Sequence, residues 1–475
     1  MKLPQKGMTR GDIANRLDAF KADDLDWQSG KVFGYVFDPG KEAMEVGKEA
    51  YMKFLTENAL DFTSFPSLYK FEREVVDMGL QHLNGPEGAV GNFTSGGTES
   101  IILAVKAARE YATARNPSIK NPEMILPITA HAAFHKAAKY LSVTVVPTAV
   151  DENFRADVKA VKAAITGNTI LIVGSAPSYA HGVVDPIAAM AGIAKENNIL
   201  FHTDACVGGF MLPFFKRLGE EVPDFDFSVP GVTSISMDLH KYAYTPKGAS
   251  LVLYRSKEIR KHQIFACSHW TGYTIINNAV MSSRSGGPMA AAYAVLNFIG
   301  EEGYLEIARK KIAATRKLVK GIRAHKDLIL MSEPDFCMFS FTSETVSVFH
   351  LIDEMNARGW YIQPALSYAH SRHNIHLSIN FSNVEWVDAF LTDLADSIEK
   401  IRDVVYGATG DALKKEFENR DVAALGDHEI EQLLELAQIG GDGFPDKMAQ
   451  INEMLNALPA GLRERLLVAY TNNIF

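Results

Sequence analysis

Lys241 closes the run Ser234-Ile-Ser236-Met-Asp-Leu-His240-Lys241-Tyr242, where a β-rich stretch delivers a lysine beside a histidine. A lysine amine attacks a carbonyl carbon when an apolar surround or a neighbouring cation lowers its pKa, so such a surround is expected here. His202-Thr-Asp204-Ala-Cys206 follows another apolar run. A carboxylate at the C-terminal end of a parallel strand faces the ligand crevice, where it can pair with a protonated ring nitrogen. Thr94-Ser95-Gly96-Gly97-Thr98-Glu-Ser100 directly precedes a helical stretch. Its glycines allow close backbone approach, and the free N–H groups of a helix start suit a phosphate. His131, in Thr129-Ala-His131-Ala-Ala-Phe134-His135, can lie flat over an aromatic ring. His131 and His135 are also spaced as a zinc pair, but no HExxH motif or third ligand accompanies them, and no metal is expected.

The elements that must position these groups follow from the hydropathy pattern. Short apolar runs at 124–128, 143–146, 169–173, 199–202, 233–237 and 250–254 alternate with helix-like stretches at 101–115, 157–165 and 187–197. That alternation predicts βαβ units and a mainly parallel sheet, in an α/β fold. Four units are expected: a helical N-terminal segment (1–60), a large domain (61–290), a small α/β domain (291–405) and a helical C-terminal extension (406–475). The small domain should carry helices at 291–305, 307–325 and 385–402, with strands at 328–331, 337–341 and 375–379. The extension should carry helices at 429–437, 447–458 and 461–470.

Composition narrows the class. The 475 residues are 47% hydrophobic and 22% charged, enough for a large core plus a smaller domain. A net charge of −9 argues against nucleic-acid and anionic-membrane surfaces. Cys206, Cys267 and Cys337 are odd in number and form no CxxC pair, so they read as reduced thiols. No signal-peptide pattern and no apolar run of spanning length is present, which makes the cytoplasm the expected location.

In order along the chain stand a phosphate cup, a stacking histidine, a ring-nitrogen carboxylate and a lysine. With TSGGTES at 94–100, AHAAF at 130–134, VGSAPSYAHGVVDPI at 173–187, HTDAC at 202–206, SISMDLHKYAYTPKGASLVLY at 234–254, SSRSGG at 282–287 and GEEGY at 300–304, the sequence resembles fold-type I pyridoxal-phosphate (PLP) enzymes of the group II decarboxylase superfamily. The likeness covers about residues 25–402 and is strongest to the sphingosine-1-phosphate lyase branch. It implies an aspartate-aminotransferase-type large domain and a Schiff base between PLP and Lys241. It implies that Asp204 pairs with the pyridine nitrogen, that His131 stacks on the ring, and that Ser95, Gly96, Gly97, Thr98 and His240 serve the phosphate. Ser175, Cys206 and Ser236 then line the cofactor site. Ser283 and Ser285 stand where a neighbouring subunit closes the cup, which implies a homodimer with shared active sites. Lys247 corresponds to a second active-site lysine, and Tyr273 is a candidate proton donor on a polar loop at 268–280.

The substrate end departs from the lyase pattern. Lyases carry Asn-Pro-Leu-His-Pro-Asp before a Phe-Pro; here the stretch is Asn58-Ala-Leu-Asp61-Phe-Thr-Ser-Phe65-Pro66, with Asp61 in the histidine's place. A carboxylate there repels a phosphate dianion. Ile275 occupies a usual tyrosine position, with Tyr273 two residues earlier. The expectation is a PLP-dependent carbon–carbon lyase with an altered amine or amino-acid substrate. α-Decarboxylation is the alternative, and a catalytically inactive or regulatory PLP-binding relative is an alternative of another class.

Overall fold

The computed structural model describes residues 2–417, 425–436 and 447–474. Its centre is a seven-stranded sheet built from β1 (Val90–Thr94), β2 (Glu123–Pro127), β3 (Thr144–Thr148), β4 (Thr169–Ser175), β5 (Leu200–Asp204), β6 (Ser234–Asp238) and β7 (Ser250–Tyr254). The order is β1-β7-β6-β5-β4-β2-β3. β2 to β6 pair in parallel, whereas β7 runs antiparallel to both β6 and β1. β4 to β7 are buried along their whole length, so β4 and β7 read as apolar runs, while β5 and β6 also bury the polar residues His202, Thr203, Asp204, Ser234, Ser236 and Asp238.

Helices α1 (Arg10–Lys21), α2 (Lys41–Lys53) and α3 (Pro66–His82) precede the sheet. α4 (Gly97–Arg115), α5 (Ala133–Leu141), α6 (Val158–Ala163), α7 (Ile187–Glu196) and α8 (Leu212–Arg217) link its strands. After α9 (Lys257–Arg260) comes a two-stranded hairpin, β8 (Phe265–Cys267) and β9 (Ile275–Asn277). The sequence reading had this segment as a loop. β1 was also missed, because Gly91 and Asn92 are poor strand formers. Gly91 is needed there: a Cβ would stand 2.5 Å from Leu253 Cδ2.

α10 (Gly287–Ala324) is one element interrupted at Gly300, whose φ of 62° belongs to glycine. The break falls some five residues earlier than the two helices expected. α10 leads to a four-stranded antiparallel sheet of β10 (Ile329–Leu330), β11 (Met338–Thr342), β12 (Gln363–Ala365) and β13 (Asn374–Ser378), in the order β10-β11-β13-β12. α11 (Val348–Ala357) and α12 (Val387–Ile401) cover it. The chain closes with α13 (Ala408–Phe417), α14 (Asp427–Leu436), α15 (Ala449–Ala457) and α16 (Ala460–Ile474). α13 was not expected, and residue 437 of the expected 429–437 helix lies outside the described residues. No described helix is long and apolar enough to cross a membrane.

Candidate active site

The carboxyl ends of β4, β5 and β6 and the start of α4 enclose a cavity of about 360 Å³, within the range of small-molecule sites. Parallel strands place their C-terminal residues at this crevice. Ser175 ends β4, Asp204 ends β5, and Lys241 follows three residues after the end of β6. All three line the cavity.

The glycine cup forms its upper wall. Gly97 opens α4, and a Cβ on it would stand 2.7 Å from Cys206 Sγ and 2.9 Å from both Asp238 carboxylate oxygens. Only glycine fits between them. Glu99 ties the cup down, accepting from Ser95 N and from Val280 N, each at 2.6 Å. His240 sits beside Gly96; its Nδ1 accepts from Ala249 N at 3.2 Å, so in the neutral ring the proton is on Nε2. Burial pushes its pKa down to about 4, against the pull of Asp238, so the ring is neutral at pH 7.

On the floor, Asp204 accepts from Cys206 N at 3.1 Å and from Ser236 Oγ at 3.3 Å, both at Oδ1. His202 holds Ser236 from below at 3.1 Å and is itself neutral, pushed down to about 4 by burial. Cys206 is buried and its thiol pushed up, so it is not a thiolate nucleophile. Ser175 is fixed through its N–H, which donates to the buried Asp185 at 2.8 Å.

The environment of Lys241 differs from the expectation. Its Nζ lies 2.8 Å from Asp238 Oδ2. Burial by itself would lower the lysine pKa, but Asp238, with Cys206 and Asp204 behind it, raises it above the ordinary value. The neighbouring histidine supplies no cation, and the decisive neighbour is a carboxylate three residues upstream. Asp238 is correspondingly lowered: burial would raise it, and the charge of Lys241 outweighs that. One of its oxygens, Oδ1, has no hydrogen-bond partner among the described residues although it is buried.

Other expected residues are scattered. His131 and Thr98 line the cavity; the His131 Nδ1 accepts from Ala133 N at 3.1 Å. Ser236 lies beneath Asp204 rather than in the lining. Lys247 is outside the cavity lining, its amine donating to Tyr35 O at 2.7 Å and lying 5.0 Å from the Phe37 ring centre. Burial and the charge of Lys241 push its pKa down to about 8. Tyr273 is 60% exposed on the β8–β9 hairpin, outside the lining of this chain's cavity. Ser283 and Ser285 are also outside it, bonded to Asn58 and to Leu55 O. Asp61 is exposed; hydrogen bonds from Thr63 and Ser64 hold its carboxyl below the usual range. His131 and His135 gather no further ligands, and no metal-holding cluster occurs among the described residues.

Glu99, Ile101, Pro177, Tyr179, Val207 and Asp238 line the cavity without a role in the sequence analysis, and two of them stand out. Asp238 lies in the quoted motif, three residues before Lys241. Tyr179 lines the cavity, stacks on His376 at 4.4 Å and donates its hydroxyl to Gln363.

Residues 19–344 match the pyridoxal-dependent decarboxylase conserved domain, about two thirds of the chain. The chain belongs to the pyridoxal-dependent decarboxylase family. It is a PLP-dependent lyase of α/β fold, with PLP as its cofactor. Residues 411–473 match a second model, the C-terminal putative HTH domain of pyridoxal-dependent enzymes. A sphingosine-1-phosphate lyase of Arabidopsis thaliana is 41% identical over 408 residues, 84% of this chain and 74% of the plant protein. A probable L-aspartate decarboxylase of Pyrococcus abyssi is 35% identical, over 84% of this chain and the whole of the archaeal protein. The solved structure of a Burkholderia pseudomallei sphingosine-1-phosphate lyase superposes with a TM-score of 0.81 at 33% identity, covering 89% of this chain and 97% of that one.

Proposed function

We propose that this family member carries PLP on Lys241 and cleaves the Cα–Cβ bond of an amine substrate that lacks a phosphate. The observation that carries the reading is the convergence of Lys241, Asp204 and the Gly96–Gly97 cup on one cavity. The residues fit the cofactor. Gly97 leaves room that any side chain would fill, the start of α4 offers backbone N–H groups to a phosphate, and the cavity matches a small aromatic ligand in size.

When bound, PLP supplies an electron-poor ring that takes up the electron pair of the breaking bond. Asp204 would pair with the ring nitrogen and keep it protonated, His131 would cover one face of the ring, and Ser175 would serve its phenolic oxygen. Asp238 Oδ2 holds the Lys241 proton, so it sets when that amine is free to react. Lys247, with a pKa near 8, is suited to take a β-hydroxyl proton at neutral to mildly basic pH. Asp61, ionised where the lyases carry a histidine for a phosphate, disfavours a substrate dianion. Ser283, Ser285 and Tyr273 do not line their own chain's cavity, which fits a homodimer in which they complete the partner's site. We place the enzyme in the cytoplasm.

The P. abyssi relative favours a second reading, α-decarboxylation of an acidic amino acid. Product analysis separates the two. Purified protein with PLP is offered L-aspartate, L-glutamate, β-hydroxy amino acids, phosphoethanolamine and sphingosine phosphate. Aldehyde release without carbon dioxide supports retro-aldol cleavage, and carbon dioxide release supports decarboxylation. Turnover of sphingosine phosphate as the preferred substrate would remove the argument from Asp61.

A further inference from the structure

Ser367 is held on both sides of its backbone by the C-terminal helices. Its N–H donates to Asn456 Oδ1 on α15 at 2.7 Å, and its carbonyl accepts from Arg463 Nη2 on α16 at 3.3 Å. Ser367 stands two residues beyond β12 and begins a tight loop. Its Oγ accepts from His373 N at 2.9 Å, and Tyr368 and Ser371 exchange backbone hydrogen bonds of 3.0 and 2.9 Å within it.

One route leads from this loop to the cavity lining at Tyr179, and a second reaches His181, two residues further along the same segment. Upstream, Gln363 on β12 accepts the hydroxyl of Tyr179, which lines the cavity. Downstream, Ser371 Oγ meets His181 Nε2 at 3.3 Å, and His181 stacks on Phe154 at 3.7 Å. Phe154 stacks in turn on His370 of the loop at 5.2 Å. Segment 179–181 is therefore gripped from both ends of the loop that the C-terminal helices hold.

The helices are themselves anchored on the small domain. The Asp353 carboxylate accepts from Met448 N at 3.0 Å and Ala449 N at 2.9 Å, capping α15. Ser347 donates to Glu453 at 3.1 Å. Residues 411–473 carry twelve acidic and six basic side chains, the wrong balance for a phosphate backbone.

We propose that Asn456 and Arg463 are positioning residues for the substrate side of the cavity, acting through Ser367 on Tyr179 and on the 179–181 wall. The proposal rests on the reading that this cavity takes PLP and an amine. It assigns the C-terminal helices to substrate recognition instead of nucleic-acid binding.

The test uses full-length protein reconstituted with PLP. Visible spectra are titrated with L-aspartate and with phosphoethanolamine, and PLP affinity and melting temperature are measured alongside. Asn456→Leu removes the acceptor at similar size, Asn456→Asp keeps it, and Arg463→Met removes the second grip from a different helix. The expected result is about tenfold weaker amine binding for Asn456→Leu and Arg463→Met, the scale of one positioning hydrogen bond to a well-placed group. PLP affinity stays within about twofold, and Asn456→Asp restores amine binding. Unchanged amine binding in both loss variants overturns the proposal. So does a parallel loss of PLP affinity and melting temperature in both, which marks a merely structural contact. Wild-type protein that binds neither PLP nor amine would instead overturn the reading of the cavity, and the clamp with it.

Discussion

Asp238 Oδ2 and the Lys241 amine form an ion pair of 2.8 Å at the end of β6, inside the cavity and beneath the glycine cup. The pair shifts both pKa values toward the charged forms. The raised lysine contributes stability that is complete below its unfolded pKa of about 10.4 and lost as pH rises through the higher folded value. The lowered aspartate contributes stability present above about 3.9 and lost as pH falls through its lower folded value.

Asp238→Asn therefore destabilises the cofactor-free protein on the order of 3 kcal/mol between about pH 4 and 10, and by less outside that window. Urea unfolding at pH 3, 7 and 10 checks this. The same substitution removes the largest charge that raises Lys241 and leaves burial opposed only by Cys206 and Asp204, so the lysine pKa falls and PLP uptake at pH 7 becomes faster. Uptake that is unchanged, with an unchanged pH profile, would separate Asp238 from the lysine's reactivity.

Gly97→Ala places a methyl group 2.7 Å from Cys206 Sγ and 2.9 Å from Asp238. The cup must open, and PLP affinity should fall at least about tenfold, a cost of roughly 1.4 kcal/mol. Equilibrium dialysis against PLP measures it. Retained affinity would mean that the phosphate lies elsewhere.

Lys247 should govern the ascending, acidic limb of the pH–rate profile. With its pKa near 8, the free amine grows as pH rises through that value, and kcat/KM rises with it if Lys247 accepts the substrate proton. Lys247→Arg should remove this limb and lower the plateau by about 10²-fold or more. An identical limb in the variant would assign the proton to another base.

Lys311 is a buried cation whose Nζ has no hydrogen-bond partner among the described residues and lies 3.4 Å from the centre of the Tyr242 ring, next to Lys241 in sequence. Burial pushes its pKa down to about 8, against a helping contact with Cys337. A lysine lowered on folding costs stability below its folded pKa, and the cost fades as pH rises toward the unfolded value. Lys311→Met should raise the melting temperature at pH 7, with the gain shrinking toward pH 10. A lower melting temperature at pH 7 would mean that the cation–π contact with Tyr242 outweighs the desolvation.

The cofactor end was legible because each part is local. The cup is two glycines at a helix start, and Asp204 and Lys241 stand at or just beyond strand ends that the apolar runs mark. What was not legible depends on contacts across the fold. A lowered Lys241 pKa was expected from an apolar surround or a neighbouring cation; burial keeps His240 neutral, and Asp238 raises the lysine instead. Tyr179 becomes a wall residue only because β12 brings Gln363 to its hydroxyl. Strand β1 escaped because Gly91 and Asn92 owe their conformation to Leu253 and Glu72, partners distant in sequence.

The central claim is that Lys241 carries the cofactor. Holoenzyme is reduced with borohydride, digested and mapped by mass spectrometry. The account predicts a pyridoxyl group on Lys241 alone, absent in Lys241→Ala together with the visible band. A label on Lys247, or a visible band that survives Lys241→Ala, would contradict it.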